Sequence, residues 1–468
     1  MAAQNLFNQA FGLILFAIQA PLLGPRAFGL ITLVMVFIGF CEYVLEIAST
    51  DALISVRDID AQHYATMTTM NSLVAAALGC GVFMAAHAIA GLFHEPELES
   101  ILHWMAALPL VSALASAPNA ASRRELQFRP LALRVLAGTL IGGAVGLTLT
   151  VLHFGVWALV WQTIVQRACN VALLWMLVPM PFRLGFSAPH FRELWRYGGP
   201  MLLSQTMTWS ASQIPRFLLG LYLGAAELGL FSLAGRINEI VLQVTLSPMY
   251  AVARVQMRSF IDDRAGLQAA MNHLLKQMGL LCFPLCIGGA AVMPVLFHVW
   301  LDARWAAGVL TAQLMLLGAM PYAAHYALSA ALLAMNKQSL IAVNSTVQSV
   351  ATVIVVAVFA PLGLNAAAAA IALRPLATAA IPIAFARRHC GLEASGVWRA
   401  QAEVFLAAVA MGVMVWLTKL ALEPYLNAAA LLAVLILVGA VVYGLLIRWL
   451  LPAETAALAA RFRRKSAA

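Results

Sequence analysis

The stretch "LLGPRAFGL", residues 22–30, returns two hundred residues later as "YLGAAELGL", residues 222–230. At that offset Leu23, Gly24, Gly29, Leu30 and Leu33 fall on Leu223, Gly224, Gly229, Leu230 and Leu233. Each copy lies between two apolar runs and reads as a tight turn between helices. The echo predicts a chain built as one half twice. The alternative is that L-G-x-x-x-x-G-L is only a frequent way to turn, so the surroundings must decide.

Those surroundings are apolar throughout. The 468 residues are 63% hydrophobic and 10% charged, with a mean hydropathy of +0.89. A water-soluble domain carries roughly a quarter charged residues. Apolar runs long enough to span a bilayer recur at 6–23, 28–47, 71–93, 100–119, 134–152, 156–178, 199–223, 229–252, 278–300, 309–334, 339–360, 364–386, 401–421 and 428–449. Six spans separate the two hairpins, so both face the same side. That is a parallel repeat of two six-helix halves, an arrangement that places a substrate site at the repeat interface near the bilayer midplane.

Charge orients the spans. With both termini inside, 21 of the 28 basic residues, Arg134 among them, fall in inner loops and tail, and only Arg26, Arg304 and Lys419 lie outside. This is the positive-inside bias, and it explains the net charge of +9 without nucleic acid. No cysteine pair has C-x-x-C spacing, so neither a disulfide framework nor a zinc site is indicated, and the ten histidines show no metal-ligand spacing. The opening "MAAQNLFNQAFG" has no basic residue before a short first span and, lacking a charged n-region, is not expected to act as a signal peptide. Later loops orient that helix, or the start lies upstream. Outer loops are a few residues long, and the inner stretches 48–70 and 253–277 read as amphipathic segments on the membrane surface.

"RFLLGLYLGAAELGLFSLAGRINEI" (216–240) resembles the oligosaccharide flippases of the multidrug/oligosaccharidyl-lipid/polysaccharide (MOP) superfamily. Their Wzx and exopolysaccharide branches carry a similar L-G-x-x-x-L-G-L-[YF]-S-x-A-x-R stretch. "LLGPRAFGLITLVMVFIGF" (22–40) is similar to the family's first hairpin, "HFGVWALVWQ" (153–162) to its fifth, and "APLGLNAAAAAIAL" (360–373) to its eleventh-to-twelfth connection. The bare N-terminus departs from the family's basic lead-in. The resemblance implies an all-α polytopic membrane protein of about fourteen helices, with two six-helix lobes in a V plus two C-terminal helices. The boundaries expected are 1–196 and 197–390 for the lobes, 391–450 for the extra helices and 451–468 for a basic tail. It also implies an inner-membrane flippase moving a polyprenyl-pyrophosphate-linked oligosaccharide outward by alternating access. Its partners would be that lipid, the bilayer and polysaccharide polymerase or export machinery; no cofactor, metal or nucleic acid is expected.

Polar residues inside spans name the candidate site, because a charge at mid-bilayer costs about 2.5–3.5 kcal/mol on insertion scales and faces a cavity or a partner. In the seventh span Gln205, Thr208, Ser212 and Arg216 fall within about 80° of one another on a helical wheel, beside the kinking Pro215. In the eighth, Ser232, Arg236, Glu239 and Gln243 make a second stripe; the plain alternative is that Arg236 and Glu239 neutralise each other at i, i+3. Arg374, before Pro375, and Arg167 are further cavity candidates. Guanidinium suits a pyrophosphate, which it meets with paired hydrogen bonds and without losing its proton. Glu42 and Glu46, one turn apart, are candidates for ion coupling or simply inner-interface residues. Arg26, at the outer hairpin, is placed to meet a headgroup on exit. Gly138, Gly142 and Gly146 predict close helix packing.

Four functions compete. Intramembrane arginines favour an anionic lipid-linked glycan over a multidrug or cation antiporter of the same superfamily. A peptidoglycan-precursor flippase has equivalent physics and is separated by resemblance alone. A membrane glycosyltransferase or polymerase needs a substantial outer loop, and the chain has none.

Overall fold

The computed structural model of the chain describes residues 2–46, 53, 59–178, 184–260, 263–390 and 394–450. Within a bilayer each apolar run must satisfy its own backbone groups, and helix does so locally. Among the described residues eleven helical stretches are long and apolar enough to cross a membrane. Two of them, Phe7–Glu46 and Ser212–Ala253, are each a pair of helices joined at a glycine. Gly24 (φ 76°, ψ 170°) and Gly224 (φ 82°, ψ 178°) adopt backbone angles closed to L side chains. Pro25 then opens the next helix, where its missing N–H costs nothing. Trp157–Leu177 is also long enough at 21 residues, its hydropathy lowered by Gln162, Gln166, Arg167 and Asn170. With each broken pair counted as two and this helix added, the described residues hold fourteen spans. The chain is an all-α polytopic membrane protein.

The irregular points recur in the same order in both halves. The fourth span is not one helix but three short ones, Glu97–Met105, Leu108–Leu114 and Ser116–Arg124. The tenth is likewise broken, into Gly308–Leu317 and Tyr322–Ala334. Leu126 and Asn336, both at φ 57°, turn the chain into Phe128–Val151 and Gln338–Phe359. Gly155 (φ 59°) and Gly363 (φ 110°) precede Trp157–Leu177 and Leu364–Ala377. The sequence echo is therefore also an echo of backbone geometry.

The chain divides into two compact units, Met1–Gly229 and Leu230–Ala468. In the first, Phe128–Val151 and Trp157–Leu177 pack along a glycine seam. A Cβ on Gly138 would lie 2.0 Å from Asn170 Oδ1, one on Gly142 2.7 Å from Gln166 Cβ, and one on Gly146 2.1 Å from Gln162 Oε1. Small residues there admit the polar side chains of the neighbouring helix. Buried Gln19 ties in the first helix by donating to Gln162 Oε1 at 2.8 Å and Thr150 Oγ1 at 3.4 Å.

In the second unit Arg264–Trp300 is the central helix, and the last two helices, Ala394–Leu422 and Ala428–Leu450, lie against it. Val295, Met411, Val415, Leu431 and Leu435 form that seam, and Tyr443 donates its hydroxyl to the carbonyl of Leu280 at 2.9 Å. Large apolar side chains such as Met84, Met176, Leu437 and Trp449 stand exposed on the outside. Lipid is the solvent such a surface requires.

Candidate functional site

The polar centre of the first unit is a cavity of about 470 Å³. Four segments build it. The helix after Gly24 brings Glu42 and Glu46, one turn apart. The broken fourth span brings Ser112, Ser116 and Asn119, and its breaks let short polar stretches enter where a continuous apolar helix would not. Phe128–Val151 brings Arg134, and Trp157–Leu177 brings Arg167.

The charges inside are unequally matched. Glu42 is held by Arg167, with Nη2 to Oε2 at 2.9 Å, and its other oxygen accepts from the Ser112 hydroxyl at 2.6 Å. Glu46 pairs with Arg123 at 3.0 Å. Each carboxylate thus has its own guanidinium. Arg134 is the extra cation: its Nη2 donates to Asn119 Oδ1 at 3.3 Å, while its Nε is buried with no hydrogen-bond partner among the described residues. Asn170 Oδ1 is buried and unpartnered in the same wall. An ion taken out of water without a partner costs several kcal/mol. A charge retained inside a span faces a cavity or a partner, and here Arg134 faces the cavity.

The structure brings together three of the residues singled out from sequence: Glu42, Glu46 and Arg167 line this one cavity. Arg216 is partly buried and donates from Nη1 to Gln213 Oε1 at 2.9 Å. Exposed Ser212 donates to the carbonyl of Trp209 at 2.6 Å. The side chains of Gln205 and Thr208 lie outside the described residues. Arg26 stands at the hairpin, paired with Glu95 at 2.6 Å and Glu97 at 3.2 Å.

In the second unit Arg236 is partly buried and Glu239 exposed, within electrostatic reach of each other. Arg374 is 9% exposed. It donates to the Gln348 carbonyl at 2.8 Å, to the Tyr322 hydroxyl at 2.6 Å and to Thr352 Oγ1. Neutral acceptors alone therefore hold this cation among the described residues. Beside Tyr322 and Gln348 opens a second, largely apolar cavity of about 660 Å³, to which His325 and Gln401 also contribute.

Arg134 is the residue that sequence reasoning missed, because it counts there as an inner-loop charge. The helix begins at Phe128, so Arg134 lies two turns inside it. The signal was present: Arg134 continues, at four-residue spacing, the line of Gly138, Gly142 and Gly146 that faces the neighbouring helix. Arg123 was missed for a different reason. Only the breaks in the fourth span fold it back to Glu46.

A family model for polysaccharide biosynthesis proteins matches residues 18–310. The chain is 24% identical over 298 residues to the succinoglycan biosynthesis transport protein ExoT of Rhizobium meliloti, covering 63% of this chain and 60% of that one. It is 21% identical over 290 residues to the lipopolysaccharide biosynthesis protein WzxC of Escherichia coli, covering 59% and 57%. The chain thus spans less than two thirds of the length of these relatives. Among solved structures it is similar to the lipid II flippase MurJ in an inward closed conformation, with a TM-score of 0.76 at 14% identity over 96% of this chain and 97% of that one. It is also similar to an inward-facing multidrug resistance MATE family transporter of the MOP superfamily, with a TM-score of 0.62 at 15% identity over 82% and 94%. At such identities the likeness speaks to fold, and the fold is of the MOP type expected from the sequence.

Proposed function

The chain belongs to the family of polysaccharide biosynthesis proteins, and from that membership we propose that it is a flippase for a polyprenyl-pyrophosphate-linked oligosaccharide. The cargo would pass from the cytoplasmic to the outer leaflet of the bacterial inner membrane, with both termini cytoplasmic. The observation that carries this reading is Arg134, a cation held in a polar cavity with no carboxylate within ion-pair distance among the described residues, Glu46 acting on it only at longer range. A pyrophosphate offers about two negative charges and several acceptor oxygens, which guanidinium groups meet with paired hydrogen bonds. Arg134 would take the anion first. Arg167, half-exposed and already turned into the cavity, would exchange Glu42 for phosphate, and the released Glu42 is then the group suited to carry a proton.

Arg216, Arg236 and Arg374, with Gln205, Ser212 and Glu239, are proposed as further points along the path, and Arg26 as a headgroup contact at its outer end. Transport is proposed to proceed by alternating access of the two repeats. A cation antiporter would need a free carboxylate, whereas Glu42 and Glu46 are each already paired with an arginine.

The experiment is on cells lacking the protein: the amount and sidedness of polyprenyl-pyrophosphate-linked oligosaccharide in the inner membrane. Accumulation of finished units on the cytoplasmic face, with surface polysaccharide lost, supports the flippase. No accumulation, together with sensitivity to cationic drugs, overturns it in favour of the antiporter.

A further inference from the structure

Asp60 is the N-cap of the helix Ala61–Phe93, its Oδ1 accepting from the backbone N–H groups of Gln62 and His63 at 3.0 Å each. The cap places His63 one turn on, where its ring folds back: Nδ1 lies 2.8 Å from Asp60 Oδ1, and Nε2 lies 3.4 Å from Glu193 Oε2. From a segment more than a hundred residues away comes His190, at the start of the helix Ala188–Gln256, with Nε2 3.5 Å from Asp60 Oδ2. The two imidazole rings meet edge to face at 4.3 Å. One donor atom each from Asp60, His63 and His190 all lie within 4.8 Å of one another.

This arrangement offers a cation a place to bind. Ser187 Oγ sits 2.5 Å from His190 Nδ1. If that nitrogen donates to the hydroxyl, Nε2 presents a lone pair, and it presents it to a carboxylate oxygen, which is also an acceptor. Two acceptors 3.5 Å apart repel unless something positive lies between them. A metal-ligating histidine held through its other ring nitrogen is the usual second half of such a site. Two imidazoles and a carboxylate suit Zn²⁺, whose bonds of about 2.0–2.2 Å set tetrahedral donors roughly 3.4 Å apart. His63 Nδ1 lies 2.8 Å from one Asp60 oxygen and His190 Nε2 3.5 Å from the other, so the two imidazole nitrogens flank one carboxylate at separations near that value. His63 is buried and fixed, while Asp60 is open to water, so an ion has a rigid wall and a route in.

The geometry points to a Zn²⁺ site formed by Asp60, His63 and His190, with Glu193 holding the other ring nitrogen of His63, at the membrane face that the charge bias assigns to the cytoplasm. It would fasten the segment leading into the seventh span to the start of the third. The inference does not rest on the flippase reading.

The test is Zn²⁺ alone, titrated calorimetrically into the full chain freed of any affinity tag, with bound metal counted and its ligands read by X-ray absorption. One equivalent on nitrogen and oxygen ligands is expected. Binding should weaken at least tenfold in His190→Gln and in Asp60→Asn; the latter keeps a residue competent to cap the helix, so the fold survives. Co²⁺ in place of Zn²⁺ should give the visible bands of a four-coordinate site. No stoichiometric binding, or equal binding by both variants, overturns the site and leaves the cluster as protonated histidines paired with carboxylates.

Discussion

Gly29 and Gly229 occupy equivalent places in the two sequence repeats, and each is pressed against the other's hairpin. A Cβ on Gly29 would lie 1.6 Å from the carbonyl oxygen of Ala225, and one on Gly229 1.9 Å from that of Pro25. Ala225 and Pro25 are themselves equivalent positions. Backbone meets backbone in a reciprocal exchange, with no side chain between to give way. Overpacking a tight contact costs typically about 1–3 kcal/mol, and rigid carbonyls put these sites at the upper end. Gly29→Ala and Gly229→Ala should each lower the Tm of the purified protein in detergent. Gly91→Ala, where an added Cβ meets nothing within 4 Å, should leave it unchanged or raise it slightly.

The hinge glycines make a separate case. Gly24 and Gly224 have open space around them but φ of 76° and 82°, so an alanine there is strained by its own backbone. The expected cost is about 1–3 kcal/mol each. Gly24→Asn should recover little, because ψ near 170° is far from the left-handed region asparagine tolerates. Equal Tm values for wild type, Gly24→Ala and Gly224→Ala would contradict the strained joint.

These glycines were legible in the sequence, and the reason is physical. A backbone angle that only glycine accepts leaves its mark at fixed spacing, as does a helix seam that only glycine fits, and a bilayer leaves its mark in length and hydropathy. The candidate cavity was half legible. Glu42, Glu46 and Arg167 stand out because they are charged within apolar runs. Arg134 and Arg123 do not, because helix ends and breaks are set by tertiary packing and no single run of residues records where they fall. Asp60 and His190 were invisible for the same reason: nothing in either segment encodes their meeting.

Arg134 separates function from stability. It is a partly buried cation with a buried Nε and no carboxylate within ion-pair distance among the described residues, so removing it relieves a desolvation cost rather than breaking a close pair. Arg134→Met should keep or raise Tm while transport of the lipid-linked oligosaccharide falls at least tenfold. Arg134→Lys should retain only part of the activity, since an ammonium lacks the paired donors. A fall in Tm with transport intact would assign Arg134 to the fold.

Arg167 should behave in the opposite way. Its loss leaves Glu42, 13% exposed, supported by the Ser112 hydroxyl alone. Because Arg167 is 40% exposed, the penalty is screened and should be about 1–2 kcal/mol rather than the full cost of a buried pair. Arg167→Ala should therefore lower Tm, and adding Glu42→Gln should restore most of it. Additive losses in the double variant would mean the two side chains do not depend on each other.

The seventh and eighth spans and Arg374 test how far the anion path extends. Arg216 donates to a neighbouring glutamine, and Arg236 lies partly buried near Glu239. Arg374 differs, since three neutral acceptors from two other segments converge on it, and without it the Tyr322, Thr352 and Gln348 oxygens lose a shared donor. Buried polar groups left unsatisfied cost about 1–3 kcal/mol each. Arg374→Ala should consequently lower Tm, and Arg374→Lys should rescue it poorly, because one ammonium on a flexible stem does not span all three. Arg216→Ala and Arg236→Ala should abolish transport while the protein remains folded and in the membrane. Full transport in both would confine the anion path to the cavity around Arg134 and leave the second pair of helices as scaffold.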